Sequence, residues 1–233
     1  MYKRQASERA TGRPLQWCTI QYLSSPAPGA VLELEVDIAA SGRQTSQTQV
    51  TGSIDGVRVM TALCAHNTRP AGDAQAFATM PDVPAPEDSA SFAELFVTDA
   101  PVSFFDSIDR RVARGRLGFD TVGEPNPEGF AIWTRLVDDQ IGSPATQGFV
   151  ADMGPLGVCA ALGIDPGGSS LDNTVRIVDP RPSEWVLIDM VADGMARSVG
   201  HVTAHLWSQD GRLLGIAQQT AIIRTTHHRA PPK

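Results

Sequence analysis

The sequence has few cysteines, no long apolar run and no apolar h-region after its first methionine, and each shortage argues against a class of protein. Three cysteines, Cys18, Cys64 and Cys159, are spread over 233 residues, an odd and widely spaced set that does not suit a disulfide scaffold. We therefore expect buried thiols and a cytoplasmic protein. No stretch reaches the roughly 18 consecutive apolar residues of a membrane-spanning helix, so no membrane span is expected.

Basic residues are also scarce, with 19 Lys and Arg against 26 Asp and Glu and a formal net charge of −7. Nucleic-acid binding needs clustered positive charge, so nucleic acid is not an expected partner. The densest basic cluster comprises Arg110, Arg111, Arg114 and Arg116. Because arginine recognises phosphate, Arg111 and Arg114 are candidates for binding an anionic ligand. The alternative is a solvated strand edge balanced by neighbouring aspartates.

Alternating apolar and polar residues indicate β-strands between Leu15 and Ala65. Residues 31–38 alternate apolar and acidic side chains, which is typical of a strand with one buried face. Asp55-Gly56 is a strong hairpin signal between two further runs. Residues 67–102 are rich in proline and are predicted to form a linker across a surface, interrupted by a short helix near Ser89–Phe96.

The rest of the chain mixes strand and helix patterns and predicts an α+β fold. Strands are expected near Phe104–Arg114 and Phe130–Asp138. Thr146–Gly163 is small, apolar and almost uncharged, which predicts a buried helix that Pro155 either kinks or starts. The stretch Ser169–Arg224 contains four strand patterns joined by short turns.

At the start of the sequence, residues 1–5 show no structural period, and residues 7–13 are typical of the end of a helix.

A shift of the sequence by 155 positions aligns the two β stretches without a gap. Thr19 falls on Thr174, and the hairpin signal Asp55-Gly56 falls on Asp210-Gly211. Matches in one register predict the duplication of a unit made of a helix and four strands. The alternative is two unrelated β meanders with similar turns. Under the duplication, most of the first unit's helix would precede Met1, so the first unit is predicted to be truncated at its N-terminus.

Two other catalytic arrangements fit the sequence poorly. No G-x-S-x-G motif is present, which argues against an α/β-hydrolase nucleophile elbow. His201 and His205 are four residues apart, but on a strand this spacing separates them by roughly 13 Å, too far to bind one metal ion. No metal or other cofactor is therefore expected.

The motifs of the second half carry a family resemblance. A buried helix followed by S-L-D-N-T-V, E-W-V-L, H-L-W-S-Q-D-G-R-L-L and Q-Q-T-A-I-I-R resembles the C-terminal half of the TesB-like acyl-CoA thioesterases. The resemblance implies a double hotdog, in which each unit is a long helix packed against an antiparallel sheet. Together with the repeat and the proline-rich segments, it predicts an incomplete N-terminal hotdog at 1–66, a linker at 67–102, a C-terminal hotdog at 103–226 and a disordered tail at 227–233.

The resemblance also implies a catalytic water held by a carboxylate, an amide and a hydroxyl. The carboxylate of the S-L-D motif falls on Asp172 and the amide falls on Gln219, while the hydroxyl position falls on or near Asp193, a departure from the family. Without the resemblance, Asp172 is more typical of a turn or cap residue and Gln219 of a solvent-facing strand position. The counterparts of Asp172 and Gln219 in the first unit are Trp17 and Cys64, so one active site is expected.

The expected activity is hydrolysis of acyl-CoA to a free fatty acid and coenzyme A. Backbone amides of Gly148 and Phe149, at the start of the predicted helix, are candidate donors to the developing oxyanion. Arg111 and Arg114 are candidates for the coenzyme A phosphates. The alternative function is a non-catalytic hotdog module that binds acyl-CoA or a related thioester. A homo-oligomer through the sheet edges is a further possibility that the resemblance leaves open.

Overall fold

The computed structural model describes residues 2–27, 29–70, 72, 74–92, 104–115, 124–126, 128–137, 144–164 and 167–224. In these residues the helices are α1 (Tyr2–Thr11), α2 (Pro144–Val150) and α3 (Gly154–Leu162). The strands are β1 (Leu15–Tyr22), β2 (Glu33–Ser41), β3 (Thr45–Ile54), β4 (Val57–Asn67), β5 (Ala90–Ser91), β6 (Ile108–Arg114), β7 (Phe130–Leu136), β8 (Gly168–Ser170), β9 (Asp172–Ile177), β10 (Val186–Ala196), β11 (Val199–Ser208) and β12 (Leu213–Ile223).

The predicted hairpin at Asp55-Gly56 is confirmed. It joins β3 to β4, and both turn residues have positive φ, 49° for Asp55 and 74° for Gly56. This conformation suits the twist of two antiparallel strands and is accessible to Asp and Gly at low cost. The predicted four strands of residues 169–224 are also present, with the short β8 added before them.

The predicted helix at Thr146–Gly163 is two helices rather than one. Residues 151–153 separate α2 from α3, and Pro155 lies in the first turn of α3, where a missing N–H costs nothing. The break leaves Asp152 outside both helices.

Three other predicted boundaries differ from the structure. Helix α1 begins at Tyr2, within the stretch for which no structure was predicted. Phe104–Ser107 is a 3₁₀ turn, so the strand predicted from Phe104 begins only at Ile108. Ala90–Ser91 is a short strand where a helix was predicted, and residues 93–96 lie outside the described part of the chain.

All described strands belong to one antiparallel sheet in the order β2-β3-β4-β1-β9-β12-β11-β10-β7-β6-β5, with β8 paired to β12. Strands β1 and β9 meet at the centre, and the order on one side, β1-β4-β3-β2, mirrors the order on the other, β9-β12-β11-β10. Thr19 of β1 lies directly opposite Thr174 of β9. These two residues are separated by 155 positions, the same shift that aligns the two halves of the sequence.

The two faces of the sheet carry different apolar clusters. On the face that we call the helix face, Leu156, Val158 and Cys159 of α3 pack with strand residues such as Val175 and Ala217. The opposite face, which we call the tryptophan face, carries a smaller cluster around Trp133, Trp185 and Trp207. Met80 and Val83 of the proline-rich segment pack on this second cluster.

Candidate active site

The break between α2 and α3 places the Asp152 carboxylate against the helix face. Its Oδ2 accepts a hydrogen bond of 2.8 Å from the Tyr22 hydroxyl, at the end of β1. Its Oδ1 accepts from the side chain of Gln219 and, at 3.5 Å, from the Ser170 hydroxyl. A carboxylate with donors on both oxygens is held in one orientation.

Gln219 lies at the centre of this arrangement and is 4% exposed. Its Oε1 accepts a hydrogen bond of 2.7 Å from the backbone N–H of Gly154, the first residue of α3. Its Nε2 donates to Asp152 Oδ1 and, at 2.8 Å, to Ser170 Oγ. Because both amide hydrogens and the carbonyl are engaged, the side chain is fixed. We refer to Tyr22, Asp152, Ser170 and Gln219 as the Asp152 cluster.

The structure does not bring Asp172 into this cluster. Its Oδ1 accepts a hydrogen bond of 2.6 Å from the backbone N–H of Thr220. Strands β8 and β9 both pair with β12, but in different registers. The hydrogen bond lies between these two paired segments and satisfies the Thr220 N–H, which the change of register would leave unpaired. The alternation along β9 places Asp172 on the same side as Thr174, away from the helix face. The Asp172 carboxylate thus joins its own strand to β12.

Asp193 lies away from the cluster as well. It is near the far end of β10, at an irregularity in the pairing with β11, and its Oδ2 accepts a hydrogen bond of 2.8 Å from Thr203. Asp193 is exposed to solvent and Thr203 is half-buried. The structure therefore separates the three residues that the sequence grouped together, and of these only Gln219 lies in the Asp152 cluster.

Gly148 and Phe149 occupy the interior of α2. The helix begins at Pro144, so Gly148 and Phe149 are its fifth and sixth residues, beyond the four N–H groups that a helix leaves free at its start. Helix α3, not α2, contacts the Asp152 cluster with its N-terminus. The Gly154 N–H at this N-terminus already donates to Gln219.

Arg111 and Arg114 make contacts within the protein. Arg111 donates a hydrogen bond of 3.1 Å to the carbonyl of Pro86. Arg114 pairs with Asp189 at 2.5 Å, and the Asp189 side chain is only 14% exposed. Arg116 lies outside the described residues. Both described arginines thus have structural partners, which any phosphate ligand would have to replace.

Asp152, Ser170 and Tyr22 were missed by sequence reasoning. Ser170 stands two positions before Asp172 in the same motif, so the motif was found although Ser170 was not named. Asp152 lies within a stretch predicted as one helix that Pro155 either kinks or starts, and only the break at residues 151–153 shows that Asp152 leaves the helix. Tyr22 comes from the other half of the sheet and had no local signal.

A carboxyl group with a strongly lowered pKa, that of Asp179, lies outside the cluster. Hydrogen bonds from Arg181, with a further one from Arg212, lower the pKa of Asp179 to about 2. The carbonyl of the same residue accepts a hydrogen bond of 3.1 Å from Gln147 of α2. Asp179 therefore connects the loop after β9 to the helix that leads to Asp152.

The fold has relatives among solved structures. A protein described as a thioesterase from Novosphingobium aromaticivorans is 27% identical, with 96% of this chain and 85% of that chain aligned and a TM-score of 0.84. A hot dog fold protein from Alicyclobacillus acidocaldarius is 24% identical, with 94% and 80% aligned and a TM-score of 0.77. The tesB protein of Mycobacterium avium subspecies paratuberculosis is 20% identical, with 95% and 84% aligned and a TM-score of 0.73. These likenesses define the class of the molecule, a hot dog fold protein.

The family follows from the sequence match. Residues 73–223 match the acyl-CoA thioesterase C-terminal domain family, and the chain belongs to this family. It is an acyl-CoA thioesterase, a thioester hydrolase. A comparison with functionally curated proteins gave no significant match. Within the residues that the structure describes, no helix is both long and apolar enough to cross a membrane.

Proposed function

We propose that the protein hydrolyses acyl-CoA with a water molecule held by Asp152 and Ser170, while Gln219 fixes the orientation of both side chains. The observation that carries this proposal is the bridging amide of Gln219, which bonds both Asp152 and Ser170 while its carbonyl is anchored to Gly154. The cluster joins a carboxylate, a hydroxyl and an amide, the three groups that the family resemblance requires. Asp172 and Asp193 take no part in this assignment.

Asp152 serves as the general base. It takes one proton from the water as the water oxygen attacks the thioester carbonyl carbon and forms a tetrahedral intermediate. The carbon–sulfur bond then breaks, its electron pair leaves with sulfur, and the coenzyme A thiolate takes up a proton. The products are a free carboxylic acid and coenzyme A. No covalent acyl-enzyme is formed, which accords with the absence of a nucleophile elbow in the sequence.

The active site belongs to the second half of the sheet but uses a residue of the first. Tyr22 of β1 holds one oxygen of Asp152, while Ser170 and Gln219 come from β8 and β12. The counterparts of Ser170 and Gln219 at the 155-residue shift are Leu15 and Cys64, which are both buried and apolar. The comparison supports one site per chain.

We infer a double hotdog from the mirrored strand order. In this view residues 1–66 form the N-terminal unit with α1, residues 67–102 the linker, and residues 103–226 the C-terminal unit with α2 and α3, before a tail at 227–233. Oligomer formation through the sheet edges would involve β2, whose residues are half-buried or exposed along its length. Acyl-CoA is the expected substrate, and a role for Arg111 and Arg114 in binding its phosphates stays a prediction.

The release of free thiol from a panel of acyl-CoAs tests the proposal. We expect turnover by the wild-type protein and a loss of about 100-fold or more in kcat for Asp152→Asn, since general-base catalysis contributes about 10²–10⁴-fold. Asp193→Asn is the matched control, because this carboxylate is exposed, lies outside the Asp152 cluster and accepts a hydrogen bond from Thr203. An Asp152→Asn variant with the wild-type rate would refute the assignment.

A further inference from the structure

The hydrogen-bond donors of the Asp152 cluster are already committed. Both hydrogens of Gln219 Nε2 are used, the Tyr22 hydroxyl donates to Asp152, and the Gly154 amide donates to Gln219. The Ser170 hydroxyl is directed at Asp152. Thioester hydrolysis also needs a donor for the carbonyl oxygen, which becomes an oxyanion in the tetrahedral intermediate. None of these donors is therefore free to bond the oxyanion.

Asn173 carries a hydrogen-bond donor that has no partner among the described residues and could serve the oxyanion. It is fully buried, at 0% exposure, and neither its Nδ2 nor its Oδ1 has a hydrogen-bond partner among the described residues. Burying an unpaired side-chain amide is unfavourable, so such a group calls for an explanation. Trp207 Nε1 is another buried donor without a partner, but it belongs to the cluster on the tryptophan face.

The register of the sheet places Asn173 beside Gln219. Strands β9 and β12 pair Val175 with Ala217 and Thr174 with Gln218, and Asn173 and Gln219 are the next residues along the two strands, one step beyond the last pair of this register. Val175 and Ala217 both lie in the cluster of the helix face, and alternation puts Asn173 and Gln219 on that same face.

The first half of the sheet shows that side chains at these two positions touch. The counterparts of Asn173 and Gln219 at the 155-residue shift are Cys18 and Cys64, which face each other across β1 and β4. Their sulfur atoms are 3.3 Å apart, and both residues are buried. Small apolar thiols therefore satisfy the packing at this place in the fold. The second half carries two amides there instead, which packing does not require.

We propose that Asn173 is a catalytic residue whose Nδ2 donates a hydrogen bond to the thioester carbonyl oxygen as negative charge develops on it. This inference rests on the proposed function, because it takes the Asp152 cluster as the place where water attacks. The amide lies on β9, a central strand of the sheet, so it is held in place before substrate arrives. A preorganised donor of this kind stabilises the transition state more than the ground state.

The test is Asn173→Leu, which keeps the number and branching of the side-chain heavy atoms and removes the donor. We expect kcat for acyl-CoA hydrolysis to fall by about 10²–10³-fold, the usual effect of removing one oxyanion donor. The melting temperature should stay the same or rise, because an unpaired buried amide is replaced by an apolar group. A residue with a purely structural role would give the opposite result, a lower melting temperature with kcat retained. Cys18→Ala, at the counterpart position, should leave kcat unchanged.

Asn173→Cys is a second variant that keeps the test usable if Asn173→Leu does not fold. The fold accepts cysteine at the counterpart position, Cys18. It should also lose activity, because a thiol is a weak donor. Wild-type kcat in a folded Asn173→Leu or Asn173→Cys protein would overturn the inference. Asp152→Asn measured in parallel separates the two hypotheses: an inactive Asp152→Asn with a fully active Asn173→Leu refutes only the role of Asn173, whereas a fully active Asp152→Asn refutes the proposed function itself.

Discussion

Thr19 and Thr174 hydrogen-bond to each other, hydroxyl to hydroxyl, at 2.8 Å across the central strands β1 and β9. They are also the two residues that the 155-residue shift places in equivalent positions. A residue that pairs with its own counterpart lies on the axis that relates two halves. The pair therefore marks a pseudo-twofold axis through the centre of the sheet.

This pair should show energetic coupling. Thr19→Val or Thr174→Val alone leaves one hydroxyl without its partner and should lower the free energy of unfolding by about 1 kcal/mol. The double variant replaces both hydroxyls and should cost less than the sum of the single variants. Urea denaturation of the three variants measures the coupling. Strictly additive effects would show that the hydroxyl contact contributes nothing to the junction.

Gly154 should not tolerate a side chain. A Cβ at this position would lie 2.5 Å from Gln219 Oε1 and 2.5 Å from Val202 Cγ1, so Gly154→Ala should displace Gln219. We expect at least about a tenfold loss of kcat, since a catalytic group moved by about 1 Å costs on the order of 100-fold. Gly194→Ala is the matched control, because a Cβ there meets nothing within 4 Å. Equal activity of the two variants would contradict the anchoring of Gln219.

Tyr22→Phe should lower kcat without unfolding the protein. The change removes only the hydroxyl that donates to Asp152 Oδ2. A hydrogen bond to a charged group contributes about 1.5–3 kcal/mol, so loss of orientation at Asp152 should reduce kcat about tenfold. Steady-state kinetics with circular dichroism as a check on folding measures this effect. Unchanged kcat would show that the first half of the sheet does not assist the site.

Asp179 should make the protein sensitive to acid. Its pKa is lowered from 3.8 to about 2 by its arginine partners, so its carboxylate stabilises the fold above about pH 4 and loses this contribution as the pH falls toward 2. Asp179→Asn should therefore reduce the free energy of unfolding at pH 7 by about 2 kcal/mol, with a difference from wild type that shrinks below pH 4. Asp210→Asn is the control, because the Asp210 side chain is 66% exposed and should contribute little. A difference that is independent of pH would contradict the ionic origin.

The sequence predicted the β pattern, the hairpin at Asp55-Gly56 and the family, because strand alternation and turn chemistry are local signals. It also made Gln219 a candidate, because the motif that carries it lies within one strand, and its catalytic role stays a prediction. It could not predict Asp152, because the loss of helix at residues 151–153 depends on how α2 and α3 pack on the sheet. It could not predict Tyr22 either, since the contact joins residues 130 positions apart.

The central claim is that Asp152 is the base and that Asp172 is structural. The most direct measurement is kcat of Asp152→Asn and Asp172→Asn on the same acyl-CoA. We predict a loss of about 100-fold or more for Asp152→Asn, because asparagine cannot accept the proton. Asp172→Asn keeps an oxygen for the Thr220 amide and should retain kcat within about twofold. A severe loss in Asp172→Asn together with an active Asp152→Asn would contradict the account.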